Sequence, residues 1–450
     1  MSVAEIEYPE TLSLPYQVEV GDEIDFFNLR ALCAIEMGLG KTFCALKAVE
    51  RHPESFPVLV VCPAVVKYNW ESEAKRFIGI QAMVCESRTP PEFDPFEPTP
   101  KLLIINYDIL KDWLPYLEQL GIQMIIYDEC QYCINTKNQR TKAAKQISLS
   151  VPYILALSGT PMLNILWPET YASSWEFSQQ FCGPRYTKWG WDHSGATNLD
   201  KLHRDLKRIG MIRRRKSEVL KDLPDKIWRT IPCEMSDPTE YHEANSDFLG
   251  WLKKNASHKV KAASKAEQLT RITYLLQLIC RLKLRGVVNW ANEFLSQSDE
   301  KLLLFAVNQG AVDVMKRRIQ VESVVVDGNV TGRDREAAIQ KFQTDPKTRL
   351  FIGTRAAGVG INLTAASEVG IAQLPWKPGD LAQWVDRSHR LCQTKTVFCN
   401  FLIALGTLEE KMCRLLHRKA KTANAVLDGG ETAADISVFE ELLATLETEL

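Results

Sequence analysis

The residues of this chain best suited to chemistry form the run Gly38-Leu39-Gly40-Lys41-Thr42, which has the composition of a phosphate-binding loop. Glycines let consecutive backbone N–H groups turn inward around a polyphosphate at the start of a helix. We expect Lys41 to reach the β- and γ-phosphates, the Thr42 hydroxyl to bind Mg²⁺, and Met37 to belong to the same loop. The strict motif has a glycine six residues before the lysine, where this chain has Ile35. Alone, such a run also occurs by coincidence at helix starts.

A second motif, Asp128-Glu129, directly follows the apolar run Met124–Tyr127, which predicts a buried strand. Parallel sheets bind ligands at the carboxyl ends of their strands. There we expect Asp128 to hold Mg²⁺ and Glu129 to polarise the attacking water. The alternative, two solvated acids in a turn, explains neither the strand nor the glycine-rich loop. Together the two motifs predict a nucleoside-triphosphate hydrolase.

A third group of polar residues lies far downstream, at Gln383, Arg387 and Arg390. On a helix these positions are i, i+4 and i+7, so one face would present an amide and two guanidinium groups. Guanidinium groups can stabilise the charge on a transferring γ-phosphoryl group. The alternative is a solvated charged face.

These residues resemble the Swi/Snf family of superfamily-two, helicase-like ATPases. The motifs that carry the resemblance are Gly38–Thr42, Asp128-Glu129, Leu157-Ser158-Gly159-Thr160-Pro161 and Asp386-Arg387-Ser388-His389-Arg390. The resemblance implies ATP as the nucleotide, with Gln17 in contact with the adenine and Gly360 and Gln383 among the nucleotide contacts. It extends over virtually the whole chain.

One block resembles a particular branch of that family, the annealing helicases that remodel forks. It comprises residues 181–186, 189–199, 213–220 and 223–224, outside the ATPase core. The chain departs from the family pattern at three places, Ile35, Cys130-Gln131 and Cys392, where the family usually has Asp, a small residue followed by His, and Gly. The expected ligands of metal and phosphate are unchanged.

The resemblance also implies contacts with a DNA backbone. In the first half these fall at Pro63, Asn106, Tyr107 and Thr160, and in the second half at Asn308, Thr354, Arg355 and Trp376. Charge adds Arg214 and Arg215, the lysines between 253 and 265, and the set Arg281, Lys283 and Arg285, each of which is also typical of a solvated helix face. Trp376 could equally be a buried core residue. Phosphate contacts position a duplex without reading its sequence.

The distribution of apolar runs predicts an α/β fold with two RecA-like parallel-sheet lobes and helical protrusions inserted between them. Nine strands are expected, at 58–62, 102–106, 124–127, 154–157, 302–307, 323–326, 350–353, 369–372 and 397–403, and none from about 165 to 285. We divide the chain into lobe 1 (1–165), a lobe-1 protrusion and linker (166–232), a lobe-2 protrusion (233–285), lobe 2 (286–430) and an acidic tail (431–450). With 45% hydrophobic and 25% charged residues, the composition is that of a globular protein.

The remaining composition limits compartment and partners. No apolar run is long enough to cross a membrane, and no signal-peptide pattern is present, which predicts an intracellular protein, cytoplasmic or nucleoid-associated. The 12 cysteines are scattered, which predicts reduced, buried thiols. The spacing of Cys130 and Cys133 is zinc-like, but no second pair follows. A net charge of -1 says nothing about partners. The short chain predicts a bare, monomeric motor, suited to a viral or bacterial source, with a separate protein partner supplying substrate choice.

We therefore predict a DNA-dependent ATPase that moves along duplex or branched DNA and anneals strands or remodels forks. Two alternatives remain at this point. One is a strand-separating RNA or DNA helicase of the same superfamily, and the other is a non-motor scaffold on DNA in which ATP only sets a conformation.

Overall fold

The computed structural model describes residues 13–133, 138–157, 163–171, 173–187, 190–193, 197–247, 267–330, 332–358 and 360–423. Within them the chain divides into two compact units, with the boundary between Lys221 and Asp222. Each unit has its own parallel sheet and its own buried core. The predicted α/β fold with two parallel-sheet lobes is confirmed.

The strands of the first unit alternate with its helices. The strands are β1 (Arg30–Cys33), β2 (Val58–Cys62), β3 (Met83–Val84), β4 (Leu102–Asn106), β5 (Met124–Asp128), β6 (Tyr153–Leu157), β7 (Arg185–Thr187), β8 (Gly190–Asp192) and β9 (Met211–Ile212). The helices are α1 (Pro15–Phe26), α2 (Lys41–Arg51), α3 (Lys67–Ile78), α4 (Leu110–Leu120), α5 (Gln139–Ser148), α6 (Leu163–Leu166), α7 (Ser174–Phe181), α8 (Leu199–Ile209) and α9 (Lys216–Val219).

Seven of these strands form one sheet in the order β3-β4-β2-β5-β6-β1-β9, and all its pairings are parallel. Strands β7 and β8 form a separate antiparallel hairpin. Every residue of β2 and β4 is buried, which explains their almost continuous apolar sequences. Because the sheet is parallel, the carboxyl ends of β2, β4 and β5 lie along the same edge.

The second unit repeats the alternation. Its strands are β10 (Lys226–Pro232), β11 (Leu302–Phe305), β12 (Glu322–Val326), β13 (Thr348–Gly353), β14 (Glu368–Ile371) and β15 (Val397–Ile403). Its helices are α10 (Pro238–Ser246), α11 (Glu267–Gln297), α12 (Gln309–Arg318), α13 (Gly332–Thr344), α14 (Pro378–Val385) and α15 (Leu408–Ala423). The sheet is parallel throughout, in the order β10-β15-β14-β11-β13-β12, with a buried cluster on each side.

The nine strands expected from the sequence are all present, but the expectation of none between 165 and 285 is wrong. That region contains the hairpin β7–β8, the short strand β9 and the seven-residue strand β10. Strand β10 is at the edge of its sheet and alternates half-buried with exposed residues, so it lacks the apolar run of a central strand. The lysines between 253 and 265 and the acidic tail 431–450 lie outside the described residues.

Candidate nucleotide-binding site

The predicted phosphate-binding loop connects β1 to α2, with the N-terminus of this 11-residue helix at its end. Gly38 and Gly40 have φ angles of 83° and 78°, in the left-handed region that favours glycine. The Lys41 ammonium donates a hydrogen bond of 2.8 Å to the Ile35 carbonyl across the loop. The fold therefore presents Lys41 and Thr42 on the first turn of a helix, as an anion-binding site requires.

Helix α1 packs directly against this loop. The Tyr16 hydroxyl donates to the Leu39 carbonyl at 2.9 Å, and the Gln17 amide nitrogen lies 3.4 Å from the same oxygen. A Cβ atom at Gly40 would lie only 2.8 Å from that amide nitrogen. Gln17 is thus brought to the phosphate-binding loop, and its contact with adenine stays a prediction.

A basic segment directly after β9 also holds the loop. Arg213 donates to the Ala34 carbonyl at 2.9 Å, and the Glu36 carboxylate accepts from the Lys216 backbone N–H at 2.7 Å. The Arg214 guanidinium pairs with Glu23 on α1 at 2.8 Å. Sequence reasoning missed this role, because nothing local in the sequence relates residues 213–216 to a loop some 180 positions earlier.

Arg214 and Arg215 were predicted to contact DNA. Besides Glu23, the Arg214 side chain pairs with Glu19 at 3.2 Å, and Arg215 pairs with Glu218 at 2.6 Å. In the structure both guanidinium groups are therefore engaged within the first unit. Their contact with DNA stays a prediction.

The acid pair lies at the carboxyl end of β5, as predicted. The Trp70 indole N–H donates to the Asp128 carboxylate at 2.9 Å. Desolvation, and then the negative charge of Glu129, raise the pKa of Asp128 to about 7, and the positive charge of Lys41 opposes this rise. Lys41 and Asp128 are therefore within electrostatic reach of each other. A poorly solvated carboxylate beside a second acid is well suited to binding a cation.

Glu129 has a φ angle of 50°, which is unusual for a residue with a side chain. Its backbone N–H donates to the Leu157 carbonyl at 3.1 Å, which fixes the end of β5 to the end of β6. Its carboxylate accepts a hydrogen bond of 2.5 Å from the Gln131 amide. Gln131 is one of the chain's departures from the family pattern. It thus orients Glu129, the predicted general base.

Three of the predicted DNA contacts lie at the same sheet edge. Pro63 follows β2, Asn106 ends β4 and Tyr107 comes next, and all three are buried. The Tyr107 ring is 1% exposed, and its hydroxyl donates to the Asp128 carbonyl at 2.8 Å. In this geometry Tyr107 supports the acid pair, while its contact with DNA stays a prediction. Thr160 lies outside the described residues.

In the second unit, Arg387 and Arg390 converge on one backbone oxygen. Arg387 donates to the Ile361 carbonyl at 3.2 Å and Arg390 donates to it at 2.8 Å. Arg387 also donates from Nε to the Gln383 carbonyl at 2.9 Å. The expectation of one continuous helical face is wrong, because α14 ends at Val385, but the turn that follows still holds both guanidinium groups together.

Gly360 directly precedes Ile361, and its φ angle of 65° favours glycine. Gly360, Gln383 and the two arginines are therefore neighbours within the second unit, although their nucleotide contacts remain predictions. Sequence spacing located these residues, but the shared Ile361 carbonyl has no signal in the sequence.

The other predicted DNA contacts of the second unit follow β11, β13 and β14 at the carboxyl edge of its sheet. The Asn308 side chain accepts from the Gly310 N–H at 2.7 Å and begins α12, and Thr354 directly follows β13. Arg355 is exposed and pairs with Asp380 at 3.2 Å. Trp376 is half-buried against the core. Parallel topology thus gathers these residues on one edge, and their DNA contacts stay predictions.

Lys283 was interpreted as a candidate phosphate contact or a solvated residue on a helix face, and both interpretations are wrong. Its side chain is 0% exposed, and its ammonium pairs with Glu409 at 2.5 Å and donates to the Leu402 carbonyl. The apolar pattern of α11 contains a signal for this burial. Position 283 lies four residues after Ile279 and eleven after Ile272, on the same buried face of the helix.

None of the 12 cysteines forms a disulfide, and most are buried, as predicted. Cys130 and Cys133 are both buried, while Cys392 is exposed. Among the described residues no group of three or more His, Cys, Asp or Glu side chains is placed to hold a metal ion. This does not count against Mg²⁺, which proteins usually hold through one or two carboxylates together with substrate phosphates. No helix in the described ranges is long and apolar enough to cross a membrane.

A glycine-rich loop at a helix start, beside an acid pair at the carboxyl edge of a parallel sheet, defines the chain as a P-loop NTPase. The family model for the SNF2-related domain matches residues 28–293, and that for the helicase conserved C-terminal domain matches residues 283–392. The chain belongs to the SNF2-related family and is a helicase-like ATP hydrolase.

Several proteins are similar to it over most of its length. The mouse (Mus musculus) DNA annealing helicase and endonuclease ZRANB3 is 30% identical over 436 residues, which cover 89% of this chain and 39% of that protein. The SWI/SNF-related matrix-associated actin-dependent regulator of chromatin subfamily A-like protein 1 homolog of Caenorhabditis elegans is 30% identical over 422 residues, 90% of this chain and 60% of that protein. The chain therefore spans about two-fifths to three-fifths of the length of these relatives.

A solved structure, the Sulfolobus solfataricus SWI2/SNF2 ATPase core in complex with dsDNA, matches with 24% sequence identity and a TM-score of 0.43. The match covers 93% of this chain and 94% of that one.

Proposed function

We propose that this protein is a DNA-dependent ATPase that translocates on duplex or branched DNA and anneals strands or remodels forks. The observation that carries the proposal is the first unit's nucleotide site, where Lys41 and Thr42 begin α2 and the desolvated acid Asp128 lies within electrostatic reach of Lys41. The mouse relative is named a DNA annealing helicase, which supports the choice of DNA as substrate and of annealing as outcome.

The residues of the site divide the work of hydrolysis. The phosphate-binding loop and Lys41 would hold the polyphosphate of ATP, with Gln17 at its adenine. Glu129, oriented by Gln131, would take a proton from the attacking water. Arg387 and Arg390 would stabilise charge on the transferred phosphoryl group, an effect worth about a thousandfold or more in related reactions.

The side chains present fit a magnesium ion. The Thr42 hydroxyl and the Asp128 carboxylate are hard oxygen ligands. A bound cation would offset the desolvation and the Glu129 charge, which raise the pKa of Asp128. Bound Mg²⁺ would neutralise charge on the phosphates. Trp70 orients the Asp128 carboxylate by donating to its Oδ2 atom.

The DNA side of the proposal rests on the two sheet edges. Asn106 in the first unit and Asn308, Thr354 and Arg355 in the second lie at carboxyl ends of parallel strands, where backbone phosphates would be contacted without reading sequence. We propose that the protein acts on intracellular DNA as a monomer and that a separate protein partner supplies substrate choice.

The test is steady-state ATPase activity of the wild type and of Arg390→Ala. Each protein is assayed without nucleic acid and with single-stranded DNA, duplex DNA, forked DNA and RNA. Arg414→Ala is the matched control, since that guanidinium is exposed and pairs with Glu410 of its own helix. We expect stimulation by duplex or forked DNA in the wild type and the control, and its loss in Arg390→Ala.

The other outcomes would refute the proposal in different ways. Stimulation mainly by RNA would favour a strand-separating helicase. Slow ATP turnover that no nucleic acid changes would favour a nucleotide switch. The same conclusion would follow if the Glu129→Gln variant holds ATP without hydrolysing it and still functions fully in a complementation assay. If DNA stimulates the ATPase, reannealing of fluorescently labelled melted strands then measures the annealing part separately.

A further inference from the structure

The hairpin β7–β8 carries an aromatic cluster on its surface, formed by Tyr186, Trp191 and Trp175. Tyr186 and Trp191 are direct cross-strand partners, so both project from the same face of the hairpin. Their ring centroids are 5.4 Å apart, and Trp175 on α7 contacts Trp191 edge to face at 5.2 Å. The three rings therefore form one continuous aromatic surface.

This surface is open to solvent. Tyr186 is 75% exposed, Trp191 51% and Trp175 47%. Single exposed apolar side chains are normal on a protein surface, whereas contiguous exposed patches mark interaction sites more often. The neighbouring aromatic residue Phe181 is buried in the core of the first unit, so the cluster extends outward from a fixed base.

The hairpin is held in place by α7. A two-stranded hairpin is only marginally stable in water on its own. Here the Thr197 N–H donates to the Phe181 carbonyl at 2.8 Å, and the Asn198 amide donates to the Gln180 carbonyl at 2.7 Å. Ser178 and His193 are hydrogen-bonded at 2.5 Å. The aromatic faces are therefore positioned before any ligand binds, which lowers the entropic cost of binding.

The charge near the cluster is mixed. Arg185 is exposed, but it projects from the face of the hairpin opposite Tyr186, because successive side chains of a strand alternate. The cleft of about 220 Å³ along α7 and α8 is lined by the bases Lys201 and Arg208 and by the acids Glu176 and Asp205. The match to a ligand therefore comes from the rings, whose exposed faces can stack on the planar bases of unpaired nucleotides whatever their sequence.

We propose that Tyr186, Trp191 and Trp175 form a stacking surface for the unpaired bases next to a strand junction in branched DNA. The proposal rests on the proposed function and adds to it a site that distinguishes a fork from a plain duplex. In a continuous duplex the bases are already stacked on each other and have no face to offer. At a junction the first unpaired bases would stack on Tyr186 and Trp191.

The test pairs a change in the DNA with a change in the protein. Two forked duplexes are compared by fluorescence anisotropy, identical except that the first two unpaired nucleotides of each arm carry bases in one and are abasic in the other. Stacking of a base on an aromatic side chain is worth about 5- to 150-fold in affinity. We expect the wild type to bind the abasic fork at least about fivefold more weakly.

Tyr186→Ala and Trp191→Ala should bind both forks alike, at about the affinity of the wild type for the abasic fork. Tyr186→Phe should behave as the wild type, because it keeps the ring. Phe96→Ala is the matched control, since that ring is 94% exposed elsewhere in the first unit. It should keep the full abasic penalty.

Equal binding of the two forks by the wild type would overturn the proposal, as would an undiminished abasic penalty in the alanine variants. Binding of a protein partner by the cluster would give the first of these results. ATPase stimulation by plain duplex DNA is measured in the same preparations and should be unchanged in the variants. Absence of stimulation by both plain duplex and forked DNA in the wild type would refute the proposed function itself, so the two failures are distinguishable.

Discussion

The buried ion pair between Lys283 on α11 and Glu409 on α15 allows a sharp prediction about the stability of the second unit. Their side chains are 0% and 4% exposed, and Nζ and Oε1 are 2.5 Å apart. The other Glu409 oxygen accepts from the Ala404 N–H at 3.1 Å, and Lys283 also donates to the Leu402 carbonyl. Each charge is compensated by its partner and by one backbone group.

Replacing one partner leaves the other charge buried with a single backbone contact. Such a change costs about 3–5 kcal/mol, whereas replacing both charges by apolar groups of similar volume is often neutral or stabilising. We expect Lys283→Met and Glu409→Leu each to destabilise the second unit by about 3–5 kcal/mol. For a domain of roughly 200 residues this lowers the melting temperature by about 6–20 °C. The double variant should lie within about 1 kcal/mol of the wild type.

The assay is hydrogen exchange read by mass spectrometry, because it reports the stability of β15 and α11 separately from that of the first unit. A single unfolding transition of the whole chain would not separate the two units. Glu300→Leu is the control. It breaks the exposed pair with Lys395, at 2.6 Å, and should cost less than about 1 kcal/mol. Single variants as mild as this control, or a double variant as unstable as the sum of the two, would refute the reasoning.

Three further predictions concern the nucleotide site and the thiols. Gly40→Ala should weaken nucleotide binding at least about fivefold in a titration with fluorescent ATP. The left-handed backbone conformation costs a residue with a side chain about 1–2 kcal/mol. The new Cβ atom would also lie 2.8 Å from the amide nitrogen of Gln17 on α1. Trp70→Phe should lower the ATPase rate about tenfold, since the hydrogen bond to the charged Asp128 is lost. The control Trp113→Phe loses a hydrogen bond to the Ser87 carbonyl, away from the acid pair, and should leave the ATPase rate unchanged. In native protein a thiol reagent should label Cys392 first, and Cys392→Ser should lose that fast phase in a time course of absorbance.

The sequence predicted what depends on local pattern. Central strands such as Val58–Cys62 and Val397–Ile403 have the bounds expected from their apolar runs, because both faces of a parallel sheet are buried. The phosphate-binding loop and the acid pair were located because each is contiguous in sequence and its chemistry dictates its composition.

What the sequence did not predict depends on contacts between distant residues. Strand β10 is recognisable only through its pairing with β15, and Lys283 has a surface-type side chain whose burial depends on Glu409, 126 positions later. The role of Arg213 is likewise invisible without the fold, since its partner is the Ala34 carbonyl, 179 positions earlier.

The position of β1 in its sheet has a consequence for how the protein is made. Although β1 leaves the ribosome before the other strands of its sheet, within the described residues it pairs only with β6 and β9, which end at Leu157 and Ile212. The phosphate-binding loop that follows it receives the Arg213 contact later still. Contacts of such large sequence separation form slowly because their loop-closure entropy must be overcome first. During synthesis, the strands β2, β4 and β5 can assemble before β1 finds its place. Nucleotide binding would then be a late event in the maturation of the nascent chain.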